Sequence, residues 1–426
     1  MTTRSEATLD IPIPISSEPS PSLSFGSNKA FPLREMLPVV LIVAVDFMGL
    51  GIVVPLLPFY TERTGASAFT VGTLISVFAF CQFLAGPVLG QLSDRLGRKP
   101  ILLVSQLGSL VGYVLFALSN SLWLIFLSRI IDGLSAGNMS VAQAYVSDNT
   151  TFAERTRGFG LIGAAFGVGM MIGPALGGLL SLRNIHAPLW AAAALSLLSL
   201  ILTWIFLPHN KPLRHSREFD EVFALRTISN VFSAPSTNHI AWLMTAFYLA
   251  LSTYMSGQAL FLAGRFTFHD HPFNPANIGL VFTYVALINI LVQISLMKSL
   301  TRRFCEEHLL SLGFLLLLAG FVGVGFCTNL IALLPLLTVA NIGASILRPL
   351  VLSQLSKRVS PGKQGAVMGV NQSVFSVCAI LAPLLSGGLI SRGMYSLWAW
   401  SVAIFGCVGL LIAVALKPQA TASRNE

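Results

Sequence analysis

The chain has 426 residues, 54% of them hydrophobic and only 10% charged, with a mean hydropathy of +0.77. Soluble domains carry about 25% charged residues, so this composition excludes a soluble enzyme or binding domain and indicates a polytopic membrane protein. The net charge of +9 does not imply nucleic acid as a partner, because the Lys and Arg residues sit in short loops between apolar segments, as positive-inside topology requires.

Residues 1–35 are rich in Ser and Pro and lack the apolar core of a signal peptide; they read as a disordered cytoplasmic tail. A membrane-crossing helix needs about 20 mainly apolar residues. Twelve such spans are expected, at 37–60, 70–91, 100–118, 121–146, 158–181, 186–207, 239–264, 275–297, 308–327, 330–356, 365–390 and 394–416. The expected fold class is an all-α membrane protein of two pseudo-symmetric six-helix bundles, residues 36–207 and 239–416. A cytoplasmic central loop, 208–238, joins them, and a cytoplasmic tail, 417–426, follows. With the N-terminus placed in the cytoplasm, 20 of the 26 Lys and Arg residues fall inside and 4 outside, with Arg129 and Arg348 inside spans. Both termini are therefore expected to be cytoplasmic and the protein to reside in the cell membrane, as a monomer.

The first span, LIVAVDFMGLGIVVPLLPFY, carries Asp46, and the fourth, LWLIFLSRIIDGLSAGN, carries Arg129 and Asp132. A charge in hydrocarbon costs a few kcal/mol or more, so such residues mark ion or substrate pathways. Arg129 and Asp132 are three residues apart and share a helix face, at a depth similar to Asp46. The three are expected to meet in one layer of a cavity. Two acids sharing one arginine leave one carboxylate free to take up and release a proton; a purely structural ion pair is the alternative. Among the polar residues at depth (Gln82, Tyr254, Gln258, Asn289, Asn341, Asn371 and Gln372), Gln82 and Asn371 are the expected substrate contacts. Phe78, Phe80 and Phe375 are candidates for an apolar wall. Arg348 either snorkels to the interface or lines the cavity.

The loop after the second span reads Gly90-Gln91-Leu92-Ser93-Asp94-Arg95-Leu96-Gly97-Arg98-Lys99. It reads as a tight charged turn, with Gly90 allowing close helix approach and Gly97 an unusual backbone; an ordinary positive-inside loop is the alternative. The fifth span carries Gly160, Gly169, Gly173-Pro174 and Gly177-Gly178, suited to close helix packing and a kink. Its Arg157-Gly158, Pro174 and Gly177-Gly178 echo Gln364-Gly365, Pro383 and Gly387-Gly388 in the eleventh span, suggesting two related halves with a site between them. The five cysteines show no CxxC or metal-ligand spacing, and no nucleophile–base set or phosphate loop appears. No enzyme activity, cofactor or resident metal is expected.

The decapeptide 90–99 resembles the signature loop between helices two and three of the major facilitator superfamily. The glycine pattern of the fifth span resembles the antiporter motif of that family's drug:proton antiporter branch, and residues 46–60 and 129–133 are similar to that branch's first and fourth helices. Together they lie nearest to the tetracycline-efflux-like group, and the second half matches in topology alone. The resemblance implies a secondary active transporter exporting an organic small molecule or drug, with antibiotic resistance as the outcome, by proton antiport and alternating access. Asp46, Arg129 and Asp132 would couple protons, and Gly90, Asp94, Arg95, Gly97, Arg98 and Lys99 would gate, with Asp94 facing the start of helix eleven. The match has limits. Tetracycline exporters of the group carry an acid in helix three where this chain has Gly112, before Tyr113, and an acid in helix nine where residues 308–327 have none. The second half's loop, Lys298 to Glu307, lacks an acid at the Asp94 position. A proton-coupled importer or facilitator of a small metabolite is one alternative, and a non-transporting receptor or scaffold another.

Overall fold

The structure, a computed structural model, describes residues 33–62, 65–150, 152–208, 229, 231–233, 237–268, 271–357 and 364–415. Both terminal tails and most of the central loop lie outside the described residues. The first half comprises α1 (Leu33–Glu62), α2 (Ala68–Leu96), α3 (Arg98–Ala117), α4 (Leu122–Ser135), α5 (Asn138–Asn149), α6 (Phe152–Ser181) and α7 (Ala187–Phe206). The second comprises α8 (Asn238–Arg265), α9 (Pro275–Leu291), a π-turn (Val292–Leu296), α10 (Met297–Arg303), α11 (Glu306–Phe326), α12 (Leu330–Lys357), α13 (Gln364–Ile390) and α14 (Tyr395–Ala415). In hydrocarbon every backbone N–H and C=O must be satisfied within the segment, which selects helices.

Among the described residues, ten helices are long and apolar enough to cross a membrane. The other two expected spans are helical as well: α8 covers 239–264, and the span expected at 121–146 is two helices, α4 and α5, interrupted at Ala136 and Gly137. The expected span 275–297 continues through the π-turn to Arg303. A two-residue antiparallel pair, Thr267–Phe268 with His271–Pro272, sits in the turn after α8 and leaves the all-α class unchanged.

In the first half, α1 packs on α6 and α7, α3 on α4 and α7, and α2 on α4. In the second, α11 packs on α12 and α14, α8 on α13 and α14, and α9 on α12. Trp398 is 1% exposed at the centre of the second bundle; it lies over Gly257, donates to the Thr253 carbonyl at 3.2 Å and stacks beside Phe261 and Phe321. The halves meet along two seams, α2 against α13 and α6 against α9. Thus α6 and α13, which carry the echoed Pro and Gly-Gly patterns, occupy equivalent places in the two bundles.

Both seams are tight at one end only. There, a side-chain carbon at Gly72 or Gly387 would meet the backbone of Pro383 or Ala68, and one at Gly279 would lie 2.6 Å from the Pro174 carbonyl oxygen. Ser76 also donates to the Ile380 carbonyl across the first seam at 2.7 Å. At the other end, which holds the 90–99 loop, a side-chain carbon at Gly90, Gly160, Gly163 or Gly369 would meet nothing within 4 Å. Among the described residues, the halves are in close contact at the 68–72 and 383–387 end and stand apart at the loop end. Gly90 was expected to allow close helix approach; no neighbour among the described residues lies within 4 Å of where its side chain would begin.

Candidate functional site

The break in the fourth span shapes the centre of the first bundle. α4 stops at Ser135, Ala136 leaves helical geometry (φ −76°, ψ 54°), and α5 restarts at Asn138. The restart aims Asn138 across the bundle at α1, where its Nδ2 donates to Asp46 Oδ2 at 2.8 Å. Ser199 of α7 also interacts with this carboxylate, and it accepts from Gln106 Nε2 at 2.9 Å. Asp46 faces a cleft lined by Gln82, Ser109, Tyr113, Asp132 and Asn138.

Arg129 and Asp132 form an ion pair at 3.2 Å, with side chains only 4% and 3% exposed. The guanidinium is enclosed by aromatic faces, with ring centres at 5.0 Å for Phe116, 5.8 Å for Tyr113 and 6.0 Å for Phe78. Each cation–π contact contributes on the order of 0.5–2 kcal/mol, which offsets part of the desolvation of a buried charge. Asp46 and Asp132 line the same cleft. The one arginine is paired with Asp132, which leaves Asp46 to two neutral partners, Asn138 and Ser199.

Gly112 lies where α3 packs closely on α4. A side-chain carbon there would lie 2.9 Å from Asp132 Cβ and 3.2 Å from the Ser128 carbonyl oxygen. The helix-three position is therefore closed to an acid by the close packing of α3 on α4.

The loop residues split into two groups. Gly97 has φ +98°, a backbone favouring glycine, and serves as both the end of α2 and the cap of α3. Arg98 is buried, ion-paired with Asp94 and with Asp148 at 2.8 Å, and hydrogen-bonded to Ser93. Lys99 is buried too, donates to the Trp204 carbonyl at 2.7 Å and lies over that indole. These two cations tie α3 to α5 and α7 inside one bundle, whereas Arg95 is exposed. In the open arrangement the ion-pair partner of Asp94 is thus Arg98 of its own half. The second bundle repeats the tie with altered chemistry: Glu306, at the start of α11, accepts from Gln354 of α12 at 2.8 Å.

Within the glycine motif of α6, Gly169, Gly173 and Gly177 lie against α1, where added carbons would meet the Ala44, Met48 and Ile52 carbonyls. A carbon at Gly178 would lie 3.2 Å from Gly279 of α9, and Pro174 lies 3.2 Å from where a Gly51 side chain would begin. Gly160 faces open space. Gln82 lines the Asp46 cleft, while Asn371 belongs to the second bundle and accepts from the Tyr248 hydroxyl at 2.6 Å. Sequence reasoning missed Asn138, Ser199 and Tyr248. The Ala136-Gly137 pair before Asn138 was the one available signal.

The family model described as Major Facilitator Superfamily matches residues 39–304 and 259–425. The chain belongs to the major facilitator superfamily. As a member of this family it is a membrane transporter and not an enzyme. It is 32% identical to the class C tetracycline resistance protein of Escherichia coli, over 84% of this chain and 91% of that one. It is 28% identical to multidrug resistance protein 1 of Bacillus subtilis (strain 168), over 88% and 94%. Among solved structures, the nucleoside transporter NupG aligns with a TM-score of 0.73 at 14% identity, over 89% and 98%. The human organic anion transporter MFSD10 aligns with 0.68 at 23% identity, over 89% and 99%. These two structural likenesses concern the major facilitator fold alone.

Proposed function

We propose that this major facilitator transporter exports an organic small molecule in exchange for protons. The observation that carries the proposal is Asp46: a carboxylate within a membrane-length helix, facing a cleft, held by the neutral donor Asn138 and without the arginine that balances its neighbour Asp132. Such an acid can change its charge without breaking a buried ion pair, which is what a proton carrier needs. The tetracycline and multidrug resistance relatives support export of a drug-like substrate. The distribution of Lys and Arg supports a cytoplasmic placement of the 90–99 loop and both termini, so the open end would face the cytoplasm.

The cycle runs as follows. Substrate enters from the open end into the space between the bundles, near Gln82 and Asn371. The bundles rock about the α2–α13 and α6–α9 seams, closing the loop end and parting the tight end. Substrate leaves, Asp46 takes up a proton outside and returns it inside. Arg129 and Asp132 set the field around it, and Asp94 changes partners as the loop end closes. The protein works as a monomer, since each bundle pair encloses its own site.

The test is drug efflux from proteoliposomes under an imposed pH gradient, with a panel of amphipathic antibiotics. Gradient-driven export of any member, lost in Asp46→Asn, is the expected result. Inverted vesicles fix the direction, and uptake driven inward by the same gradient would replace this reading with a proton-coupled importer.

A further inference from the structure

The second bundle carries one cation that the proposed cycle does not use. Arg348 lies in the second half of α12, and its side chain is exposed. Its guanidinium sits over the ring of Phe166, 4.9 Å from the ring centre, and Phe166 belongs to α6 of the opposite half. Phe166 in turn packs edge-on against Phe47, the residue after Asp46, with ring centres 4.6 Å apart. Arg348 therefore reaches across the inter-bundle space to the wall that holds the Asp46 cleft.

Among the described residues Arg348 has no ion pair. The composition of the second half gives the reason: between residues 239 and 416 the acids are Asp270, Glu306 and Glu307 alone. Asp270 lies outside the described residues, and Glu306 and Glu307 open α11. Glu306 sits beside Ser353 and Gln354, more than one turn further along α12 than Arg348. The five donors of the Arg348 guanidinium form a planar fork matched to a carboxylate, sulfonate or phosphate.

The surroundings suit an organic anion. Tyr248 of α8 lies within electrostatic reach of Arg348. Its hydroxyl donates to Asn371 Oδ1, which leaves the two amide hydrogens of Asn371 available as further donors. Phe375, one turn along α13, packs edge-on to Tyr248 with ring centres 5.4 Å apart. The cation thus stands between an aromatic face from one bundle and a donor-bearing aromatic wall from the other. Asp46 and the Arg348 group give the two walls opposite charge.

We infer that Arg348, with Asn371 and the rings of Phe166 and Phe375, forms a subsite for the anionic group of an amphipathic aromatic substrate. The subsite rests on the proposed central site between the bundles but not on the direction or coupling of transport. Arg348 receives the acid group, the rings take the aromatic body, and both bundles contribute, so occupancy is sensed by both halves.

The experiment uses the full-length protein in nanodiscs and two fluorescent probes of one size, dansylglycine (anionic) and dansylamide (neutral). Wild type is expected to bind dansylglycine about tenfold more tightly, equivalent to about 1.4 kcal/mol. Arg348→Gln is expected to abolish that preference while dansylamide binding stays within about twofold, which also shows that the variant is folded. Arg348→Lys is expected to keep part of the preference, as a point charge without the planar fork. Equal binding of the two probes to wild type overturns the inference whatever the variants do. A preference that survives Arg348→Gln, or a loss of both probes in Arg348→Gln with both retained in Arg348→Lys, overturns it too, the last by showing that Arg348 serves the Phe166 contact between halves. Absence of gradient-driven efflux, with an intact Arg348-dependent preference, would sink the export reading and leave the subsite standing.

Discussion

Asn138 donates a 2.8 Å hydrogen bond to Asp46 from the first residue of α5, directly after the break that ends α4. One irregular stretch of backbone thus joins the Arg129–Asp132 pair and the Asp46 carboxylate into one cleft while keeping their partners separate. Irregular backbone at membrane depth is tolerated where it is enclosed by protein or lines a polar cavity, and this break lies on the cleft.

Asn138→Ala is expected to slow proton-coupled efflux about tenfold or more. A hydrogen bond to a charged group contributes about 1.5–3 kcal/mol, and Ser199 is the other neutral partner of this carboxylate. Initial rates in proteoliposomes across a pH series check this. Rates and pH profile both equal to wild type would mean that the amide does not bear on proton carriage.

Asp46→Asn is expected to abolish gradient-driven export while substrate counterflow, which needs no net proton movement, persists. The substitution is nearly isosteric, and an amide at 46 still accepts from Asn138, so folding is preserved. Export at the wild-type rate with an unchanged pH dependence would remove Asp46 from the coupling.

Arg129→Ala is expected to be less stable than the double variant with Asp132→Asn. Removing one member of a buried pair leaves an uncompensated charge, a loss of about 3–5 kcal/mol, and here both side chains are almost fully enclosed. Thermal unfolding of the detergent-solubilised proteins reads the order. A double variant no more stable than the single one would show that the two charges are not coupled.

Asp94→Asn is expected to alter the ratio of open to closed loop ends without loss of ligand affinity. Its ion pair with Arg98 is half-exposed, so its contribution is on the order of 0.2–1 kcal/mol, and the ratio changes by about fivefold at most. Labelling of single cysteines placed at the two ends reports the ratio. Unchanged labelling combined with lost binding would place the loop in the ligand site.

Gly279→Ala and Gly160→Ala are expected to act in opposite ways on the open arrangement. The first inserts a carbon 2.6 Å from the Pro174 carbonyl oxygen and pries apart the tight end; the second meets nothing within 4 Å and gains about 0.5–1 kcal/mol of helix stability in this arrangement. Cysteine labelling at the 68–72 end should rise in Gly279→Ala and not in Gly160→Ala. A rise in both, or in neither, would show that the seams do not control access.

The helical spans and the two-bundle order were legible in the sequence, because a 20-residue apolar run is a local property that lipid alone converts into a helix. Gly97 was legible too, since its positive φ belongs to the turn itself. The sequence also placed Asp46, Arg129 and Asp132 at one depth, as rise per residue fixes height along a helix axis. The i,i+3 spacing of Arg129 and Asp132 made their pairing legible as well, but not what holds Asp46. That depends on the rotation of α1 about its axis and on the break at Ala136-Gly137, and both are settled by how α1, α5 and α7 pack. The same holds for Arg348, whose spacing allowed either the interface or the cavity. Only the approach of α12 to α6, helices of different bundles far apart in the sequence, brought its guanidinium over Phe166. Charge and hydropathy are summed along the chain, whereas partners are chosen across it.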